Sequence, residues 1–194
     1  MSEVTTEREV MEYDVIIVGA GPAGLACAIR LKQLKPDLMV AVIEKSAEVG
    51  SHILSGAVIE PGPLDELLPG WRDNPPPICV PVENDEIAFL TKTSRYRMPT
   101  PPQQKNHGNF IVSLGALCAW LAPQAEDLGV DIFPGYAAAG IHYLDDGAVG
   151  GVIIGDMGVG KDGKPKDTYM QGIEIHADRK STRLNSSHQI ISYA

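Results

Sequence analysis

No run of about 20 apolar residues occurs in this 194-residue sequence, so no segment of it reads as a bilayer-spanning helix. Cysteine is scarce: Cys27, Cys79 and Cys118 stand far apart with no C-x-x-C pair. That spacing fits neither a zinc site nor an iron–sulfur cradle, and the thiols are expected as small buried hydrophobes of a reducing compartment. Positive charge is short as well. Sixteen Lys and Arg against 25 Asp and Glu leave a formal net charge of −9, and no basic stripe exists to neutralise phosphates, which excludes nucleic acid as a partner. The opening residues, MSEVTTEREVMEYD, hold one arginine among five acids. They resemble neither a signal peptide nor an Arg-rich transit peptide, and nothing in them directs the chain out of a cytosol. No repeat of fixed period appears, and no residue stands out as general acid, base, nucleophile or metal ligand. What is present, 44% hydrophobic and 21% charged residues, suits one globular domain with its own core.

The informative stretch is EYDVIIVGAGPAGLACAIRLKQLKPDLMVAVIEK, residues 12–45. Val15 to Val18 reads as a buried β-branched strand. A helix is predicted over 23–34, with Leu25, Ala28, Ile29 and Leu31 on its inner face and Arg30, Lys32 and Lys35 toward water. A second strand is predicted over 38–43, giving β-α-β with a right-handed crossover. In the turn Gly19-Ala20-Gly21-Pro22-Ala23-Gly24, Gly19 permits the tight turn, Gly21 lets the backbone approach a pyrophosphate, and Gly24 lets helix and strand pack closely. The N–H groups of the first helical turn, with the positive end of the helix dipole, suit phosphate. Pro22 costs little there, because its missing N–H had no helical partner. Glu44, at the end of the second strand, is placed to accept from a ribose 2′-hydroxyl. Strand, glycines, helix, strand and acid in that order point to dinucleotide binding.

Farther on, PGPLDELLPGWRDNPPPICVPVENDEIAFL is dense in proline and reads as loop around one short helix, with Trp71 packed over it. Strands are predicted over 87–91 and 95–98. A helix over 110–128 should end at Gly129 and be kinked or broken by Pro123. A third parallel strand is predicted over 130–133, then a hairpin around Asp146-Gly147. GDMGVGKDGKPKD, residues 155–167, lacks the Ser/Thr and the buried strand of a phosphate loop; it reads as a polar β-hairpin or surface loop.

After Glu44 the chain enters a second glycine loop, EKSAEVGSHILSGAVIEP, holding Lys45, Gly50, Ser51, His52, Ser55 and Gly56. It is similar to the loop that runs along the ribityl chain in flavoproteins related to glutathione reductase and to the aromatic hydroxylases, and that resemblance favours FAD. His52 reads equally as a cofactor contact or as a surface histidine.

Four stretches together, MEYDVIIVGAGPAGLACAIRLKQL, GSHILSGAVIEP, GNFIVSLGALCAWLAPQAEDLGVDIFPGYAAAGI and GDMGVGKDGKPKD, resemble the electron-transfer flavoprotein:ubiquinone oxidoreductase family over about residues 8–178. The resemblance implies an α/β, Rossmann-like FAD-binding domain of the glutathione-reductase type, incomplete here, with a small β segment of an inserted quinone domain. It implies an FAD enzyme that takes electrons from electron-transfer flavoprotein and passes them to ubiquinone, peripherally bound to a membrane, in a bacterium at the cytoplasmic face of the inner membrane. The cofactor-binding residues carried over are Gly19, Ala20, Gly21, Pro22, Ala23, Gly24, Glu44, Lys45, Ser51, His52, Ser55 and Gly56. The implied division is an N-terminal extension at 1–12, FAD-domain segments at 13–79 and 110–179, and a quinone-domain segment at 80–109. The 4Fe-4S cluster and most of the quinone pocket that the family carries have no ligands in this chain, so it is expected to be inactive alone.

Residues 180–194, RKSTRLNSSHQIISYA without its first residue, depart from the family pattern and are expected to be a non-native tail. A geranylgeranyl-reductase-like or FixC-like flavoprotein shares the glycine turn, and a non-catalytic dinucleotide-binding module is the reading from outside the enzymes. Residues 155–167 favour the quinone oxidoreductase family over both.

Overall fold

The computed structural model describes residues 8–54, 56–160 and 164–177, so the 180–194 tail lies outside the described residues. Strand β1 (Val10–Tyr13) passes through Asp14 into β2 (Val15–Val18), and the two lie in different sheets. Asp14 is the pivot. Its own N–H and that of Val15 donate to the Met39 carbonyl at 3.0 and 3.1 Å, and its Oδ2 accepts from the Met39 N–H at 2.9 Å. After the glycine turn come α1 (Pro22–Leu34) and β3 (Val40–Glu44). Next are β4 (Ala57–Ile59), α2 (Pro61–Leu67), β5 (Cys79–Pro81) and the hairpin β6 (Ile87–Leu90) with β7 (Arg95–Met98). Then follow β8 (Phe110–Val112), α3 (Leu114–Asp127), β9 (Val130–Pro134) and the hairpin β10 (Ala138–Tyr143) with β11 (Val149–Ile154). A third hairpin, β12 (Met157–Val159) with β13 (Pro165–Met170), precedes β14 (Glu174–Ala177).

The centre is a parallel sheet in the order β2-β3-β9, with Val15 opposite Val40 and Val40 opposite Val130. Side chains alternate across a strand, so each residue type here serves one of two cores. Ile17, Val40, Val42 and Val130 pack against Leu25 and Ile29 of α1 and Leu117, Cys118 and Leu121 of α3. Ile16, Ala41 and Ile43 face the other way, onto Tyr13, Ile154 and Ile175 of a four-stranded sheet ordered β1-β14-β11-β10. Helices, parallel sheet and second sheet thus form three layers. Leu25 and Ile29 are fully buried, each worth about 1.5–3 kcal/mol relative to exposure. A short antiparallel sheet, β4-β8-β5, lies beside Trp71, which is buried against Phe110 at 5.3 Å and donates from its indole to Asp65 at 2.7 Å. Among the described residues no helix is long and apolar enough to cross a membrane.

Four expectations need correction. Phe110 to Val112 is a strand, not the start of the helix; the β-branched pair Ile111-Val112 pairs with both β4 and β5, and Ser113 then caps α3 by accepting from the Ala116 N–H. Pro123 does not break α3. It lies on the exposed side, where water can satisfy the carbonyl it leaves unpaired, and Gln124 Nε2 donates to the Trp120 carbonyl at 2.9 Å just beside it. The second strand starts at Val40, because Leu38 still closes a turn onto the Lys35 carbonyl. Lys32 does not face water: it is 8% exposed, and its ammonium donates to the carbonyls of Pro36 and Leu38 at 2.6 and 2.9 Å. It ties the end of α1 to the entry of β3. The predicted stop at Gly129 is present as a left-handed residue with φ +84°.

Replacing Lys32 by Met keeps the aliphatic stem but leaves two carbonyls without their donor. The expected loss is about 1–3 kcal/mol by urea unfolding, whereas Lys35→Met, on the exposed face, should stay within about 0.5 kcal/mol.

Candidate functional site

β2 and β3 end side by side, and the turn between β2 and α1 hangs from β3. Gly19 donates its N–H to the Ile43 carbonyl at 2.8 Å, and Ala20 donates to Glu44 Oε2 at 3.0 Å. Gly19 has φ +103°, a conformation L side chains rarely adopt. Gly24 has no room: a Cβ there would lie 2.0 Å from the Gly19 carbonyl oxygen. Gly21 is different. Its backbone is extended, φ −77° and ψ 178°, and a Cβ on it would meet no protein atom within 4 Å, so the space at the start of α1 is open. The first-turn N–H groups of Ala23 and Gly24 have no helical acceptor, and Pro22 stands at the head of the helix.

Glu44 is half-buried, its other oxygen accepting from the Ser46 N–H at 2.8 Å. Burial opposes its charge, but the N–H groups of Ser46 and Ala20, aided by the Ser46 side chain and Lys45, outweigh burial and hold its carboxyl below the usual range. The Ser46 and Ala20 N–H groups and the Ser46 hydroxyl occupy three of its four acceptor positions, which leaves capacity for one hydroxyl. Cys118 is buried within reach of that charge; burial first and Glu44 second push its thiol up to about 12, so it stays a neutral apolar group.

The loop after Glu44 is held by a second close approach. A Cβ on Gly50 would lie 2.3 Å from the Gly115 carbonyl oxygen, and one on Gly115 would lie 2.7 Å from that of Gly50. Backbone therefore rests on backbone where the loop crosses the first turn of α3. Lys45, Ser51 and His52 are exposed; Ser51 Oγ donates to the Glu48 carbonyl at 2.9 Å. Gly56 is exposed with φ +90°, and Ser55 lies outside the described residues. The glycine turn and Glu44 are thus brought together, and the 51–56 loop follows on a separate support. Sequence reasoning missed Gly115 and Ser46. Gly115 carried a signal, since glycine early in a helix is unfavourable and marks a close approach. Ser46 is 2% exposed and joins Glu44 to Gly135, whose N–H donates to its carbonyl at 2.8 Å; nothing in its spacing announces that.

Three layers, a glycine turn at a helix start and an acid ending the next strand define the Rossmann-like fold of FAD-binding flavoproteins. A model described as the Thi4 family matches residues 2–60. The flavin-dependent monooxygenase PieE, solved in complex with FAD and substrate, aligns with a TM-score of 0.61 at 14% identity, covering 87% of this chain and 29% of that one. Within that class the sequence is more specific. It is 50% identical over 177 residues, 89% of this chain, to a probable mitochondrial electron transfer flavoprotein-ubiquinone oxidoreductase of Schizosaccharomyces pombe. It is 49% identical over 183 residues to a probable protein of the same name in Acinetobacter baylyi. Nine-tenths of the chain thus matches one part of electron transfer flavoprotein-ubiquinone oxidoreductases, and it spans 28% and 32% of the length of those two relatives.

Gly24→Ala should prevent α1 from seating on β2 and lower the thermal midpoint whether or not any ligand is present, because the clash is with backbone. Glu44 gives a pH signature. A carboxyl held below its unfolded value contributes stability above that value and loses it as pH falls through the folded one. The stability difference between wild type and Glu44→Gln should therefore be full at neutral pH and vanish only in acid, below the ordinary glutamate range. Urea unfolding across that range checks it.

Proposed function

We propose that this chain supplies the FAD-binding part of an enzyme that passes electrons from reduced electron-transfer flavoprotein to ubiquinone. The observation that carries the reading is the 50% identity over 89% of the chain to a protein of that name. The geometry supports the cofactor assignment, because Gly21 opens at a helix start whose first-turn N–H groups have no helical acceptor, next to Ala20, which donates to the Glu44 carboxylate.

In this reading the first-turn N–H groups of Ala23 and Gly24 hold the pyrophosphate, and Glu44 accepts from a ribose hydroxyl. Ala20, Pro22 and Ala23 shape that turn, while Lys45, Ser51, His52, Ser55 and Gly56 belong to the loop along the ribityl side. FAD, when bound, supplies chemistry that accepts and releases electrons one at a time. The residues of this chain bind and orient it, and the low pKa of Glu44 keeps an acceptor charged at the ribose. Residues 13–79 and 110–179 are assigned to the FAD domain and 80–109 to a quinone-domain segment. The 4Fe-4S cluster, the ubiquinone pocket and peripheral attachment to the respiratory membrane, in a bacterium at the cytoplasmic face of the inner membrane, are assigned to the longer protein.

FAD titration separates the parts of this proposal. Gly21→Val should fold normally, since its backbone is extended and its surroundings open, yet bind no FAD. Glu44→Ala should lose about 1.5–3 kcal/mol of binding, roughly a tenfold to hundredfold rise in Kd. A Gly21→Val protein that binds FAD as wild type does would overturn the site. The full-length protein should reduce ubiquinone with reduced electron-transfer flavoprotein as donor, and failure to do so while FAD remains bound would overturn the reaction alone.

A further inference from the structure

Ile175 of β14 points into the core, so its neighbours Glu174 and His176 lie on the outer face of the four-stranded sheet. His142 of β10 joins them there. The Cα partners His142, Gly151 and His176 form one row across β10, β11 and β14. Two imidazoles from strands that are not neighbours meet over β11, where a Cβ on Gly150 would lie 3.0 Å from the His142 ring, and they stack with centroids 4.2 Å apart and planes 20° apart. Each turns a nitrogen toward the same atom: Glu174 Oε2 is 2.9 Å from His176 Nε2 and 3.4 Å from His142 Nδ1. Two hydrogen bonds to that oxygen's two lone pairs would hold the rings there, and the same three atoms also make a convergent donor set for a shared ion.

We propose that His142, Glu174 and His176 form a binding site for a divalent transition metal ion of the Zn2+ type. The three donor atoms all lie within 4.8 Å of one another. At metal–ligand distances near 2.0–2.2 Å, tetrahedral donors stand roughly 3.3 Å apart, so small side-chain rotations close the set. Two imidazole nitrogens and one carboxylate oxygen select Zn2+, Co2+, Ni2+ or Cu2+ over Mg2+ and Ca2+, which prefer all-oxygen shells. The three side chains are 30% exposed or less, on rigid strands. Glu12, in register with His176 on β1, adds favourable charge; the field of Arg8 opposes it, reduced by its ion pair with Asp156 at 3.1 Å. Water completes the coordination. Bound there, the ion clips the edge strand β10 to β14 across β11.

The test uses the untagged chain. Titration with Co2+ should give visible d–d bands saturating at one equivalent, displaced by Zn2+, and His142→Ala and His176→Ala should each weaken binding roughly tenfold or more. Histidine acylation by diethylpyrocarbonate, read by peptide mass spectrometry on the wild-type chain, should be blocked at His142 and His176 by Zn2+, which needs no variant to fold. Absence of saturable binding, sulfur-to-cobalt charge-transfer bands from the cysteines, or acylation of both histidines unaffected by Zn2+ would each overturn the proposal.

Discussion

The arrangement depends on how near α1 comes to the end of β2. Helix and strand approach until the Gly19 carbonyl and the Gly24 Cα leave no volume for a methyl group. That contact aims the helix start at the point where β2 and β3 finish, and so it decides where unpaired N–H groups gather. Lys32 pins the far end of the same helix through the carbonyls of Pro36 and Leu38. Between these two fastenings α1 has little freedom to tilt, and the Leu25 and Ile29 packing fills the length between them.

A second backbone-on-backbone contact, Gly50 against Gly115, does for the following loop what Gly24 does for the helix. The two supports come from different parts of the chain, α1 and α3, and both helices rest on the same face of the parallel sheet. Glu44 joins the supports electrostatically. It holds Ala20 on one side and Ser46 on the other, and Ser46 reaches Gly135 beyond β9. A single half-buried carboxylate therefore fixes the ends of three adjacent elements, which is consistent with its charge being retained despite burial.

The β-α-β unit was legible because its signals are local: β-branched runs, glycines at fixed spacing and an acid at a strand end. The parallel strand at β9 and the hairpins β6-β7 and β10-β11 were legible for the same reason. Lys32 was misplaced because a lysine reads as solvated unless its acceptors are known, and those acceptors come from a loop whose path the helix period does not reveal. Pro123 and the 110–112 strand were misread because tertiary context overrode local preference: an exposed position tolerates the proline, and two partner strands claim a segment that also fits the helical period. Ser46 and the row His142, Gly151, His176 depend on strand pairing at long range, which no window of sequence contains.

That same long-range pairing bears on how the molecule is made. Asp14 sends β1 out of the parallel sheet to lie against β14, and the pairing joins the first and last strands of the described chain. During synthesis β1 emerges at the outset and finds its partner only when residues 174–177 have left the ribosome. Ile16, Ala41 and Ile43 wait uncovered through that interval, since Ile154 and Ile175 arrive late. The β-α-β unit can settle its helical side early, while its other side is sealed last. A nascent chain of this architecture is thus exposed on one face until residue 175 has emerged, which makes that face the natural place for a chaperone to bind.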